Sequence, residues 1–191
     1  NKINNLLELF YLQYIKQNKD SVFLEFLKDP VKKYSWEDTY LNIIRLSKEI
    51  SKYINKGDRC LLISENRPEW MIADLSIMLS KGITVPAYTT YTERDYEYII
   101  DDCLPSIIFV SNKIQYEKIK NTIPKRNFIK KVIIFDSINI FNDELILDIN
   151  KIFINQDYEI KDFYNLQIYR KDIACIIYTS GTQGDPKGVM L

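Results

Sequence analysis

Gly57-Asp-Arg-Cys-Leu-Leu-Ile-Ser-Glu-Asn-Arg-Pro-Glu-Trp70, continued by Lys81-Gly-Ile-Thr-Val-Pro-Ala-Tyr88, sets the architecture of this chain. Arg59 to Ser64 is almost uninterrupted in its apolar character, as a strand buried on both faces must be. Pro68 fits the first position of a helix, where its missing N–H costs nothing, and Glu69 suits the positive end of that helix. The helix is expected to run to about Lys81, with Gly82 at the position just past its end. Ile83 to Ala87 then reads as a second strand. Strand, helix, strand in this order implies a right-handed crossover and a parallel pair.

Working outward, the same alternation recurs. Ile3 to Gln17 reads as a helix and Val22 to Leu27 as a strand, with Asp29-Pro30 turning the chain. Ser35, with Asp38 three residues on, has the pattern of a capping box. Trp36, Tyr40, Ile43, Ile44, Ile50 and Ile54 follow at helical spacing, and Gly57 is expected to stop that helix. Thr92 caps another helix that carries Tyr96, Ile99, Ile100 and Cys103 on one face. Ser106 to Val110 and Lys131 to Phe135 read as further strands. Residues 136–166 mix Asn, Asp and Ile without a clear period and read as a variable insertion. Trp70 and Tyr88 are expected in the core, and Asn66 and Arg67 are expected to shape the turn into the helix. The fold class expected is α/β, a mainly parallel sheet flanked by helices.

Composition narrows the function. The 191 residues include 46% hydrophobic and 27% charged residues, and net charge is zero, so no basic field argues for nucleic acid. There is no His, which excludes Ser-His-Asp and Cys-His catalysis and His-based metal sites. Cys60, Cys103 and Cys175 lie far apart in apolar segments and are expected to be buried free thiols, as suits a reducing cytosol. No apolar run approaches the ~20 residues of a membrane span.

Chemistry concentrates in Tyr178-Thr-Ser-Gly-Thr-Gln-Gly-Asp-Pro-Lys-Gly-Val-Met-Leu191. The chain has five glycines, and three of them (Gly181, Gly184, Gly188) fall here. Ile173 to Tyr178 leads in and reads as a strand buried on both faces. A loop of glycines and hydroxyls with one fixed cation can bring backbone N–H groups, Thr179, Ser180, Thr182 and Lys187 onto phosphate oxygens. It is not a Walker A loop, because Pro186 stands where that motif needs Gly before its Lys, and no Gly-x-Gly-x-x-Gly is present. Gly, Ser, Thr, Asp and Pro are also ordinary turn residues, so a plain surface turn is the competing reading.

Tyr-Thr-Ser-Gly-Thr-x-Gly-x-Pro-Lys-Gly-Val resembles the signature of the adenylate-forming, AMP-binding superfamily. The Gly57 to Tyr88 stretch is similar to its long-chain fatty acyl-CoA synthetase branch. The resemblance runs from about Val22 to Leu191, is strongest over 22–135 and 171–191, and makes the chain a partial adenylation domain, the N-terminal subdomain of the acyl-CoA synthetase-like fold. It implies a long-chain fatty acid–CoA ligase that uses ATP, Mg²⁺ and coenzyme A, with fatty acid as partner substrate. Thr179, Ser180, Gly181, Thr182, Gln183, Gly184 and Lys187 would then hold the β- and γ-phosphates of ATP. Gln183 departs from the Thr or Ser usual at its position; its amide still donates a hydrogen bond, but with longer geometry. The resemblance places catalytic and metal-binding residues after Leu191, so these residues alone are expected to be inactive. Cytoplasm is the expected location, with peripheral association of the longer protein at the endoplasmic reticulum or another membrane. Another adenylate-forming ligase (an aryl-CoA ligase or peptide-synthetase module) and a non-catalytic truncated paralogue remain as alternatives.

Overall fold

The computed structural model describes residues 3–28, 31–137, 143–154, 168–179 and 186–191. The Asp29-Pro30 turn therefore lies outside the described residues, as does most of the glycine loop. In chain order the elements are α1 (Leu6–Tyr14), β1 (Val22–Phe26), β2 (Lys32–Ser35), α2 (Trp36–Ile50), β3 (Arg59–Ile63), α3 (Pro68–Leu79), β4 (Ile83–Ala87) and α4 (Glu93–Cys103). They continue with β5 (Ile107–Val110), α5 (Lys113–Glu117), β6 (Lys131–Ile134), β7 (Ile146–Asp148), α6 (Ile149–Phe153), β8 (Ile176–Thr179) and β9 (Lys187–Met190).

Five strands form one parallel sheet in the order β4-β3-β5-β6-β7. The order reverses at β3: the chain steps outward to β4, then crosses back to β5 on the other side. Alternate residues of each strand face opposite layers. Cys60, Leu62, Ile107, Phe109 and Ile133 pack with α1, α2, α3 and α6. Leu61, Ile63, Val85, Ile108, Val110, Val132 and Ile134 pack under α4 with Ile119 and Ile123. Both faces are covered, which explains the continuous apolar runs of the central strands.

Local chemistry fixes the helix ends. Ser35 and Asp38 form a reciprocal capping box on α2, and Thr92 and Asp95 form another on α4. Each such cap is worth on the order of 1 kcal/mol. Pro68 occupies the first turn of α3 as expected. The end of α3 differs from the expected pattern. The Lys81 N–H bonds the Met78 carbonyl and the Gly82 N–H bonds the Ile77 carbonyl, both at 2.9 Å. This is a Schellman ending whose left-handed residue is Lys81 (φ 61°), not Gly82. Gly82 instead fills a tight place: a Cβ there would sit 2.9 Å from Ile54 Cδ1 and 3.0 Å from Ile77 Cγ2, so these side chains would have to shift.

Other expectations need correction. Helix α2 stops at Ile50; Gly57 (φ 86°) belongs to the later turn closed by the Asp58 side chain, which accepts from the Asn55 N–H at 2.8 Å. Strand β1 pairs antiparallel with β2, a hairpin too short for its alternation to show in sequence. Residues read as an unpatterned insertion contribute β7, an edge strand of the sheet, and α6, whose Ile149, Ile152 and Phe153 are buried. Tyr88 is 67% exposed, because it stands just past the end of β4, beyond the cover of the helices. Trp70 packs at the margin of one core layer. Cys60 and Cys103 are buried and Cys175 is half-buried, all as free thiols. No helix among the described residues is long and apolar enough to cross a membrane.

Candidate functional site

The glycine loop is carried by a hairpin attached to the β4 edge of the sheet. Thr84 and Cys175 form a parallel bridge, and the Thr84 N–H donates to the Ala174 carbonyl at 3.2 Å. Strand β8 thus runs with β4 and points its last residue, Thr179, toward the carboxyl edge, where ligands of such sheets bind. Strand β9 returns antiparallel, and its first residue, Lys187, pairs with Thr179. The structure therefore brings these two predicted site residues together at the neck of the loop. Both are exposed, and among the described residues no carboxylate lies in ion-pair range of Lys187. Ser180, Gly181, Thr182, Gln183 and Gly184 lie outside the described residues.

The lead-in strand is not buried on both faces as its composition suggests. Regular pairing begins at Ile176; Ile173 and Ile177 are 38% and 37% exposed, and every residue of β9 is exposed. Only Tyr178, 5% exposed, turns fully inward, into the layer beneath α4. Its hydroxyl donates to the Asp102 carboxylate. Burial, then the bond to Asp102, push the phenol well above its ordinary pKa, so it remains a donor. The Tyr98 hydroxyl donates to the Pro186 carbonyl at 3.0 Å. Gly188 lies opposite Tyr178, and a Cβ there would come 2.8 Å from Ile176 Cγ2. That glycine serves packing, whereas Gly181 and Gly184 fall in the loop itself. Tyr98 and Asp102 escaped the sequence reading; the one available signal was two polar groups at i, i+4 on α4.

At the reversal of strand order, Arg67 fills the space beyond the strand ends. Its guanidinium donates to Glu69 at 2.8 and 3.1 Å and to Asp136 at 2.8 Å, and stacks between Phe26 (4.9 Å) and Phe135 (5.6 Å). Glu69 also accepts from Lys32 and from the Tyr34 hydroxyl, at 3.2 and 3.0 Å. Burial alone would raise the Glu69 pKa, but the bonds and charge of Arg67 win and hold it at about 2. The group ties the β1–β2 hairpin to the sheet, which gives Arg67 a structural role; Asn66 is exposed and outside it. Burial pushes the Cys103 thiol up to about 12 and raises Cys60 and Cys175 too, so none is a ready nucleophile. Among the described residues no three Cys, Asp or Glu converge as a metal site. A cleft of about 910 Å³, with Leu6, Leu9, Met78, Ile83 and Leu191 in its walls, opens at the amino edge of β4, opposite the loop.

Comparisons with known proteins identify the family and the fold. A family described as AMP-binding enzyme matches residues 13–191. Fatty acyl-CoA synthetase A of Dictyostelium discoideum is 30% identical over 200 residues, covering 96% of this chain and 29% of that protein. Long chain acyl-CoA synthetase 4 of Arabidopsis thaliana is 30% identical over 168 residues, covering 83% of this chain and 25% of that protein. The chain thus spans little more than a quarter of the length of these relatives. Among solved structures, an anthranilate CoA ligase, AuaEII, in complex with anthranoyl-AMP superposes with a TM-score of 0.83 at 19% identity, over 100% of this chain and 35% of that one. Acetoacetyl-CoA synthetase from Streptomyces lividans gives 0.82 at 15% identity, over 98% of this chain and 30% of that one. At these identities the two superpositions establish the fold.

Proposed function

We propose a reaction for this chain from one established premise: it belongs to the AMP-binding enzyme family. In our reading it forms part of a longer ligase that activates a fatty acid, of long chain as in the name of the Arabidopsis relative, with Mg·ATP and coenzyme A as the other substrates. A carboxylate oxygen of the fatty acid attacks the α-phosphorus; the bond to the bridging oxygen breaks and pyrophosphate leaves. The coenzyme A thiol, losing its proton, then attacks the acyl carbon of the adenylate, and AMP departs.

The observation that carries this reading is the pairing of Thr179 with Lys187 at the neck of a glycine loop on the carboxyl edge of the sheet. In this reading binding relies on the backbone N–H groups of 180–185, the hydroxyls of Thr179, Ser180 and Thr182, the Gln183 amide and the Lys187 ammonium. Fixed donors of this kind stabilise charge as it develops on departing pyrophosphate without reorganising. We assign the described residues no metal-dependent step, and Mg²⁺ enters with ATP as substrate. In this reading the described residues hold the nucleotide, and the remaining chemistry falls to the longer protein.

Substrate class is tested with the full-length protein, by measuring AMP release with coenzyme A, Mg·ATP and a series of acids. Long-chain fatty acids are expected to be turned over with kcat/KM at least tenfold above benzoate or anthranilate. Preference for the aryl acids would move the assignment to an aryl-CoA ligase, and no turnover of any acid would favour a non-catalytic paralogue.

A further inference from the structure

A two-stranded hairpin is marginal by itself, and every residue of β9 is exposed. Yet a phosphate loop works only if its ends are held fixed. The two stems of this loop are both tied to one helix. Asp102 of α4 accepts from the Tyr178 hydroxyl, one residue before Thr179. Tyr98, one turn earlier on α4, donates to the carbonyl of Pro186, one residue before Lys187. Residues four apart share one helix face, so a single rigid element clamps the chain on both sides of the loop neck. Helix α4 is itself anchored by its capping box, by the burial of Tyr96, Ile99 and Ile100, and by Arg126, which grips Asp101 at 2.6 Å.

We propose that Tyr98 and Asp102 are positioning residues for the phosphate loop: neither touches the nucleotide, and together they set where Thr179 and Lys187 meet it. The proposal rests on the reading of the loop as phosphate-binding. Tyr98 fixes the stem that carries the cation and Asp102 the stem that carries the first hydroxyl. Loosening either lets Thr179 and Lys187 sample positions that miss the β- and γ-phosphates. The expected signature is a defect confined to nucleotide and pyrophosphate.

The test is ATP–pyrophosphate exchange by the full-length protein with Tyr98→Phe, Asp102→Ala, Asp102→Asn and Lys187→Ala, alongside thermal melts. Tyr98→Phe is expected to raise KM for ATP and pyrophosphate about two- to tenfold, the range for losing one neutral hydrogen bond. KM for the fatty acid and the melting temperature should stay unchanged. Asp102→Ala should do more, and Asp102→Asn should recover most of the loss, because its amide oxygen still accepts from Tyr178. If Asp102→Ala does not fold, Tyr98→Phe decides alone. Unchanged KM values in Tyr98→Phe, or a rise equal for ATP and fatty acid with a lowered melting temperature, would overturn the positioning role. If Lys187→Ala is crippled while the α4 variants are normal, only this proposal fails; if Lys187→Ala is normal as well, the phosphate-loop reading fails with it.

Discussion

Strands β3 and β8 are both largely apolar, Arg-Cys-Leu-Leu-Ile and Ile-Ile-Tyr-Thr, but they live in different surroundings. Every apolar side chain of β3 is fully buried, because helices cover both faces and strands flank both edges. Strand β8 buries only Tyr178 and pairs with an exposed β9, and the chain bridges to the main sheet through Cys175, the residue before it. Composition reports that a strand is apolar; it does not report how much of the molecule arrives to cover it. The difference also divides labour. Stability is concentrated around β3 and β5, and the residues assigned to phosphate stand on the thinly held hairpin, fastened through Tyr178.

The sharpest way to break that contrast is to truncate one apolar side chain in each region. Phe109, at 0% exposure in β5, should cost about 3–5 kcal/mol on replacement by Ala, and Val189→Ala in β9 less than about 0.5 kcal/mol. Denaturant unfolding gives both numbers; similar losses would mean that the hairpin is packed as tightly as the sheet. The next largest effect concerns pH. Glu69 titrates at about 2 in the folded protein against an ordinary 4.5, so its stabilisation is fully present above pH 4.5 and is lost as pH falls toward 2. Glu69→Gln should therefore be less stable at neutral pH and show a flatter loss below pH 4.5, read from melting temperature against pH. An acid limb identical to that of the wild type would remove Glu69 from the account. The smallest expected effect is at Gln183. Restoring a hydroxyl with Gln183→Thr should raise ATP–pyrophosphate exchange by a few-fold at most, the worth of one neutral hydrogen bond, and leave stability alone. A large loss would mean that the loop is tuned to glutamine.

What was legible in the sequence follows from the range of the forces involved. Ser35 with Asp38, and Thr92 at the start of α4, act within one helical turn, so the α2 capping box and the α4 cap could be read directly. The strand–helix–strand unit and the parallel sheet follow from apolar runs and punctuation that are equally local. Gly82 shows where locality ends: a glycine near a helix end suggested a backbone role, but its side-chain space is taken by Ile54, far back in the chain. Strand β7 and helix α6 stayed hidden because Asn and Asp interrupt their pattern, and their burial depends on β6 and α2. At the site, the glycine loop and Lys187 were visible as a motif. Its fastening through Tyr98 and Asp102 depends on contacts across more than seventy residues, which no local signal encodes.

One measurement bears most directly on the assignment of the loop: ATP–pyrophosphate exchange by the full-length protein carrying Lys187→Ala, paired with its unfolding curve. Lys187 is exposed and has no carboxylate partner among the described residues, so stability should stay within about 0.5 kcal/mol of the wild type. Exchange should fall by about tenfold or more, as expected for the loss of a preorganised donor to a charged leaving group. A normal exchange rate in a normally folded variant would contradict the account and return the glycine loop to the status of a surface turn.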